Sequence, residues 1–94
     1  MDFKIEIDRQ ALKTLKSLAK PLRRQITNKI EALQKNPYPS AARKIQGQKG
    51  LFRIRQGNFR IAYTVIEDRL KILVVHIGDR RDFYTHFKRV HYGG

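Results

Sequence analysis

GLFRIRQGNFRIAY, residues 50–63, decides the fold. Apolar and polar side chains alternate on both sides of Gln56-Gly57-Asn58, the pattern of two half-buried strands joined by a tight turn. Phe52 and Ile54 point one way, Arg53 and Arg55 the other. On the return strand Phe59, Ile61, Tyr63 and Val65 share a face, with Arg60 opposite. If the turn pairs apolar set with apolar set, burying them leaves Arg53, Arg55 and Arg60 together on the other face. The stretch holds no carboxylate to neutralise them. Like charges on neighbouring strands are destabilising, so a sheet accepts such a face most readily where it is wet or meets an anion. Guanidinium suits phosphate, because its planar fork donates two parallel hydrogen bonds.

The rest of the chain favours the anion. Lys and Arg number 21 against 8 Asp and Glu, a formal net charge of +13, and the excess runs through both halves of the sequence rather than a detachable tail. A folded surface this basic repels itself and attracts polyanions: nucleic acid, an anionic membrane or an acidic protein. No apolar run approaches the ~20 residues of a membrane helix, and MDFKIEID lacks the apolar stretch of a signal peptide. Cysteine is absent, which removes disulfides and thiolate metal sites and suits a reducing cytosol. The expectation is one domain over residues 1–94, soluble and cytoplasmic, with nucleic acid rather than a membrane as its partner.

At the start of the chain Phe3, Ile5 and Ile7 alternate with Lys4 and Glu6 as a short strand, and Asp8 is placed to cap a helix. Ala11, Leu12, Leu15, Leu18 and Ala19 recur at helical spacing, with Lys13, Lys16 and Lys20 off that stripe. Pro21 suits the first turn of a second helix, carried by Leu22, Ile26, Ile30 and Leu33 and stopped by Asn36-Pro37-Tyr38-Pro39-Ser40. Two adjacent amphipathic helices form an antiparallel hairpin. Residues 36–50 read as a connection with Ile45 as its one anchor. Strands follow at 51–55, 59–66 and 70–77, with Glu67-Asp68-Arg69 as a turn. Leu73-Val74-Val75 is apolar on both faces, which predicts a central or doubly covered strand. Asp79 caps a last helix over residues 80–89. The fold class is α+β in the order β-α-α-β-β-β-α, a helical hairpin on a small, mainly antiparallel sheet.

Metal chemistry fits poorly, because the carboxylates are scattered and no HExxH, EF-hand or P-loop pattern occurs. His76, His86 and His91 are each candidates for acid–base work. His76 ends the central strand and is expected to be structural, and His86 lies at helical spacing from Asp82 and Arg89. In GDRRDFYTHF, residues 78–87, Arg80 and Tyr84 are four apart and share a helix face, while Phe83 and Phe87 make the adjacent, core-facing pair. Arg80 follows the last strand, so it is positioned to join the hairpin arginines. Tyr84 has the chemistry to stack a base or hydrogen-bond a phosphate; a half-buried amphipathic tyrosine is the plainer alternative.

GLFRIRQGNFRIAY followed, after a strand, by GDRRDFY resembles the RelE/ParE superfamily of prokaryotic toxins, over nearly the whole chain. The resemblance implies a RelE-like fold. RelE-type members are mRNA interferases, endoribonucleases that enter the ribosomal A site and inhibit translation by cutting the mRNA there. Their chemistry uses no metal or other cofactor: the 2′-hydroxyl attacks the adjacent phosphodiester. Carried over residue by residue, the implied catalytic set is Arg53, Arg55, Arg60, Arg80 and Tyr84. Some members have lysines where this chain has Arg53 and Arg55. Arginine does not give up its proton as a depressed lysine does, so these positions are assigned electrostatic stabilisation. Tyr84 also follows Arg80 more closely than in some relatives, and Asp79 stands where related sequences often carry a basic residue or histidine. Contacts to RNA or ribosome are expected from Lys13, Lys16, Lys20 and Arg81, although a solvated face explains the helix lysines equally well.

The family further implies an acidic, RelB-like antitoxin that covers the basic site, and operator DNA bound through that antitoxin. Three other functions stay open: a ParE-like inhibitor of DNA gyrase, a branch that generally lacks the full cationic and tyrosine set; a non-catalytic RNA- or ribosome-binding module; and a structural interaction protein.

Overall fold

A computed structural model describes residues 2–90. Strands β3 (Phe52–Gln56) and β4 (Phe59–Ile66) form the hairpin. Its register pairs Phe52 with Tyr63 and Ile54 with Ile61, and sets Arg55 directly opposite Arg60. The apolar sets therefore meet, as the alternation requires. The turn is Gly57-Asn58, with Gly57 at φ +60°. A two-residue hairpin with positive φ at its first position alone is the type II′ form, which needs glycine there.

Around the hairpin run β1 (Lys4–Ile7), α1 (Arg9–Ser17), α2 (Lys20–Ala32), β2 (Arg43–Lys44), β5 (Lys71–Asp79) and α3 (Arg80–Arg89). The five strands lie in the order β1-β5-β4-β3-β2, with β1 parallel to β5 and the other pairings antiparallel. Two boundaries correct the sequence reading. The 36–50 connection contains β2, which pairs with β3; two polar residues carry no periodicity that would reveal a strand. β5 runs on past Ile77 to Asp79, which is itself the N-cap of α3, so no loop separates strand from helix.

Asp8 caps α1 by accepting from Gln10 N at 3.1 Å, and Pro21 stands in the first turn of α2, where its missing N–H leaves nothing unpaired. Lys20 begins α2 rather than ending α1. Ala11, Leu15, Ile26, Ile30 and Leu33 bury the helical hairpin against Ile54, Ile61, Tyr63, Ile72, Val74 and Ile77 on one face of the sheet. Each fully buried branched side chain contributes about 1.5–3 kcal/mol. A second, smaller cluster of Leu51, Ala62, Val75 and Phe83 lies on the other face, beneath α3, with Ile45, Leu73 and Phe87 packed against it. β5 is thus buried on both faces, which accounts for Leu73-Val74-Val75.

Its alternation is broken once. Ala62 pairs with His76 and Tyr63 with Val74, so Val75 is an extra residue, a β-bulge. The bulge turns both Val75 and His76 toward α3.

An aromatic column ties the proline-bearing segment to the sheet. Tyr63 stacks with Phe52 at 5.8 Å, Tyr38 meets Phe52 edge-on at 5.4 Å, and the Tyr63 hydroxyl donates to Pro37 O at 2.8 Å. Burial pushes the Tyr63 hydroxyl up to about 12, so it stays a donor at every ordinary pH. Tyr63→Phe is expected to cost about 1–2 kcal/mol, since it strands an accepting carbonyl beside a buried ring. Urea denaturation measures this; an unchanged midpoint would mean that the carbonyl pairs with water instead.

Candidate functional site

The face opposite the helical hairpin carries the arginines. Arg53 and Arg60 project from β3 and β4, and Arg80 opens α3 directly after β5, where its backbone N–H donates to Asn58 O at 3.0 Å across the hairpin turn. Phe83 and Phe87 seat α3 on the sheet. The 3.6-residue repeat then sends Arg80, Tyr84 and Lys88 to the flank that faces β4 and β3. The result is a groove of about 590 Å³ whose rim carries Arg53, Arg60, Arg80, Lys44, Lys88 and Tyr84, with Phe83 and Phe87 in its floor.

The structure therefore brings Arg53, Arg60, Arg80 and Tyr84 to one groove. Arg55 does not line it; it stands across from Arg60 and acts on it through charge. Arg81 lines a neighbouring hollow with Asn58, Asp79 and Thr85, which shares Arg80 and Tyr84 as its wall. Lys13, Lys16 and Lys20 are exposed on the helical hairpin, across the sheet from the arginines, and are not part of the groove. Lys44 and Lys88 are groove residues that the sequence reading missed. Lys88 lies four residues beyond Tyr84, so its face was legible. Lys44 sits in the two-residue β2, where nothing signals its direction.

Arg60 is the centre of this charge. Burial first, then the guanidiniums of Arg53, Arg55 and Arg80, lower its proton affinity below the ordinary arginine value; guanidinium nevertheless stays charged throughout the working pH range. Among the described residues none of these four arginines is paired with a carboxylate, the ion pairs being Lys35–Asp2, Lys71–Glu6 and His76–Asp82. Arg53 and Arg60 are half-buried, Arg55 and Arg80 exposed, and such a set of like charges without carboxylate partners is an arrangement that an anion completes. Tyr84 is 68% exposed, and Lys88 Nζ lies 5.3 Å from its ring centroid, covering one face and leaving the other open.

Asp79 accepts from Asp82 N at 2.8 Å, so it serves as a helix cap. His76, His86 and Asp82 lie on the other flank of α3. His76 Nε2 is 3.1 Å from Asp82 Oδ2, and the two imidazoles stack at 3.8 Å. His91 lies outside the described residues. Among the described residues no three His, Asp or Glu side chains are grouped to hold a metal ion, and no helix is long and apolar enough to cross a membrane.

Burial holds both imidazoles below the ordinary histidine range; the neighbouring His86 lowers His76 further, and Asp82 opposes the shift at each. The native state thus resists protons that the unfolded chain takes up near pH ~6.5. The stability these rings contribute is present above that pH and is lost as pH falls below it. The urea midpoint is expected to drop between pH 7.5 and 5, and the drop should shrink in a His76→Gln, His86→Gln double variant. A midpoint that rises on acidification contradicts this.

A family model described as the ParE toxin of the type II toxin–antitoxin system parDE matches residues 5–84. A candidate toxin named RelE1 from Methanocaldococcus jannaschii is 32% identical over 87 residues, which span 89% of this chain and 97% of that protein. The mRNA interferase toxin RelE of Escherichia coli K12 is 27% identical over 82 residues, 85% of each chain. In the archaeal RelE–RelB complex from Pyrococcus horikoshii, the matching chain superposes with a TM-score of 0.72 at 26% identity, covering 85% of this chain and 97% of that one.

Proposed function

This chain belongs to the ParE toxin family of type II toxin–antitoxin systems, within the RelE/ParE superfamily, and from that premise we propose that it is a ribosome-dependent mRNA endonuclease acting in the A site. The observation that carries this reading is the groove on which Arg53, Arg60, Arg80 and Tyr84 converge.

The reaction suits those residues. The 2′-oxygen of one nucleotide forms a bond to the adjacent phosphorus, its proton leaves, and the bond from phosphorus to the 5′-oxygen breaks as that oxygen takes up a proton. The products are a 2′,3′-cyclic phosphate and a 5′-hydroxyl. Negative charge grows on the nonbridging oxygens in the pentavalent transition state. Guanidiniums gathered along one groove, those of Arg53 and Arg60 half-buried in it, stabilise that charge. They supply the positive charge that a metal ion supplies in other nucleases. Arg55 adds to the field from behind Arg60. Tyr84 offers its open face to a base and holds the strand for in-line attack, while the ribosome supplies much of the remaining positioning. Proton transfer is not assigned to the arginines.

Partners follow from the same surface. An acidic RelB-like antitoxin neutralises a +13 chain, and the RelE–RelB complex of the archaeal relative supports such a pairing. Operator DNA is bound through that antitoxin. Lys13, Lys16, Lys20 and Arg81 contact ribosomal RNA phosphates.

End-group analysis of the cleaved message tests the chemistry. Fragments should carry a 5′-hydroxyl that accepts phosphate from a kinase without prior phosphatase treatment, and a cyclic phosphate on the other side of the cut. A 5′-phosphate paired with a 3′-hydroxyl overturns the 2′-hydroxyl mechanism. A second reading, inhibition of DNA gyrase, is favoured by the description of the matching family model as a ParE toxin. It predicts loss of supercoiling with mRNA left intact.

A further inference from the structure

The groove uses one flank of α3, and the other flank holds a group of titratable side chains that the reaction scheme does not employ. The bulge at Val75 turns His76 toward α3. An ionised carboxylate only accepts, so His76 Nε2–H donates to Asp82 Oδ2, at 3.1 Å. His86, one helical turn after Asp82, lies flat on the His76 ring, 3.8 Å between centroids and 10° from parallel. Phe83 and Phe87 close the cluster at 5.7 and 5.8 Å from His76.

The strand makes room for this. A Cβ added at Gly78 would overlap Asp82 Oδ2 and stand 3.0 Å from His76 Nε2, while Gly78 has no positive φ that would itself call for glycine. The missing side chain therefore leaves the space that Asp82 Oδ2 occupies beside His76, while the rest of that carboxylate stays open to solvent.

From this we infer that His76, Asp82 and His86, seated over Gly78, clamp the far flank of α3 and thereby hold Arg80 and Tyr84 in register with Arg53 and Arg60. They are positioning residues for the cleavage reaction, and this role rests on the reading given above. Asp82 and His86 sit at about −100° and −60° around the helix from Phe83, and Arg80 and Tyr84 at about +60° and +100°, given 100° per residue. A small roll of α3 about Phe83 that loosens the clamp therefore moves both groove residues. A 1 Å error at a reacting centre is enough to cost about a hundredfold in rate.

The clamp is attacked from both sides. Asp82→Ala removes the acceptor, Gly78→Ala fills that space, and Asp82→Asn keeps a carbonyl oxygen for the His76 N–H. Single-turnover cleavage on programmed ribosomes is measured over a range of protein concentrations, on variants shown by circular dichroism to be folded. The Tyr84 ring and Arg80 Nε–H resonances are followed by NMR in the same proteins.

Asp82→Ala and Gly78→Ala should slow the saturated rate about tenfold or more with half-saturation unchanged, and Asp82→Asn should recover most of that loss. The Tyr84 and Arg80 resonances should shift in the first two variants and return in the third. Full activity in folded Asp82→Ala, or a loss confined to half-saturation, overturns the positioning role. Unmoved Tyr84 and Arg80 resonances overturn the clamp itself, whether or not the protein cuts RNA. If the wild-type protein leaves mRNA intact, the cleavage reading fails, and the clamp is then judged on those resonances alone.

Discussion

Replacing Arg60 with alanine is expected to lower the proposed A-site cleavage by about 10²–10³-fold, the loss of one donor to a transition-state oxyanion, and to leave the protein as stable as before or more so. The two halves of this result belong together. Arg60 is half-buried, and three guanidiniums bear on it. In the absence of an anion each neighbour opposes its charge, so removing it relieves repulsion within the fold. In the transition state the same repulsion becomes attraction for a phosphorane bearing negative charge. Arg60→Lys keeps the charge but loses the planar fork, and falls between wild type and Arg60→Ala. Single-turnover cleavage read beside a urea midpoint separates these effects. A parallel fall in rate and midpoint would mean that Arg60 serves the fold and not the reaction.

Tyr84→Ala is the second large effect, a drop of about 10- to 100-fold, in line with the ~1–3 kcal/mol that base stacking on an aromatic ring contributes. The ring is 68% exposed and one of its faces is covered by Lys88 at 5.3 Å, so little in the fold depends on it and stability should not change. Tyr84→Phe keeps the stacking surface and is expected to stay within a few-fold of wild type. If phenylalanine is as damaging as alanine, the hydroxyl takes part in the chemistry and the stacking role is wrong.

Much of this site was legible in residue order alone, and the reasons are physical. Period-two alternation in residues 52–65 put Arg53, Arg55 and Arg60 on the face left free by Ile54 and Ile61, and the register bears this out. The four-residue spacing of Arg80 and Tyr84 put both on one flank of α3. Asp8 and Asp79 were recognisable as helix caps because a short acceptor before an apolar-periodic run has few other roles.

What escaped notice lacked a local signal. β2 is two polar residues long and exists only because β3 offers it an edge. Lys44 reaches the groove as a consequence of that pairing. His76 is the sharper case. Strict alternation from Val74 would turn it toward the helical hairpin, and the Val75 bulge turns it to α3 instead. A bulge is settled by the neighbouring strand, so residue order does not announce it. The partnership of Gly78 with Asp82 was hidden for a related reason: a glycine chosen for empty space has the same letter as one chosen for its backbone angle.

Primer extension across the A-site codon of programmed ribosomes, with a gyrase supercoiling reaction run on the same preparation of protein, decides whether the arginine groove cuts mRNA. Wild-type protein should give a new stop inside the A-site codon, Arg60→Ala and Arg80→Ala should lose it, and supercoiling should be unaffected by all three proteins. Intact mRNA together with inhibited supercoiling would contradict this.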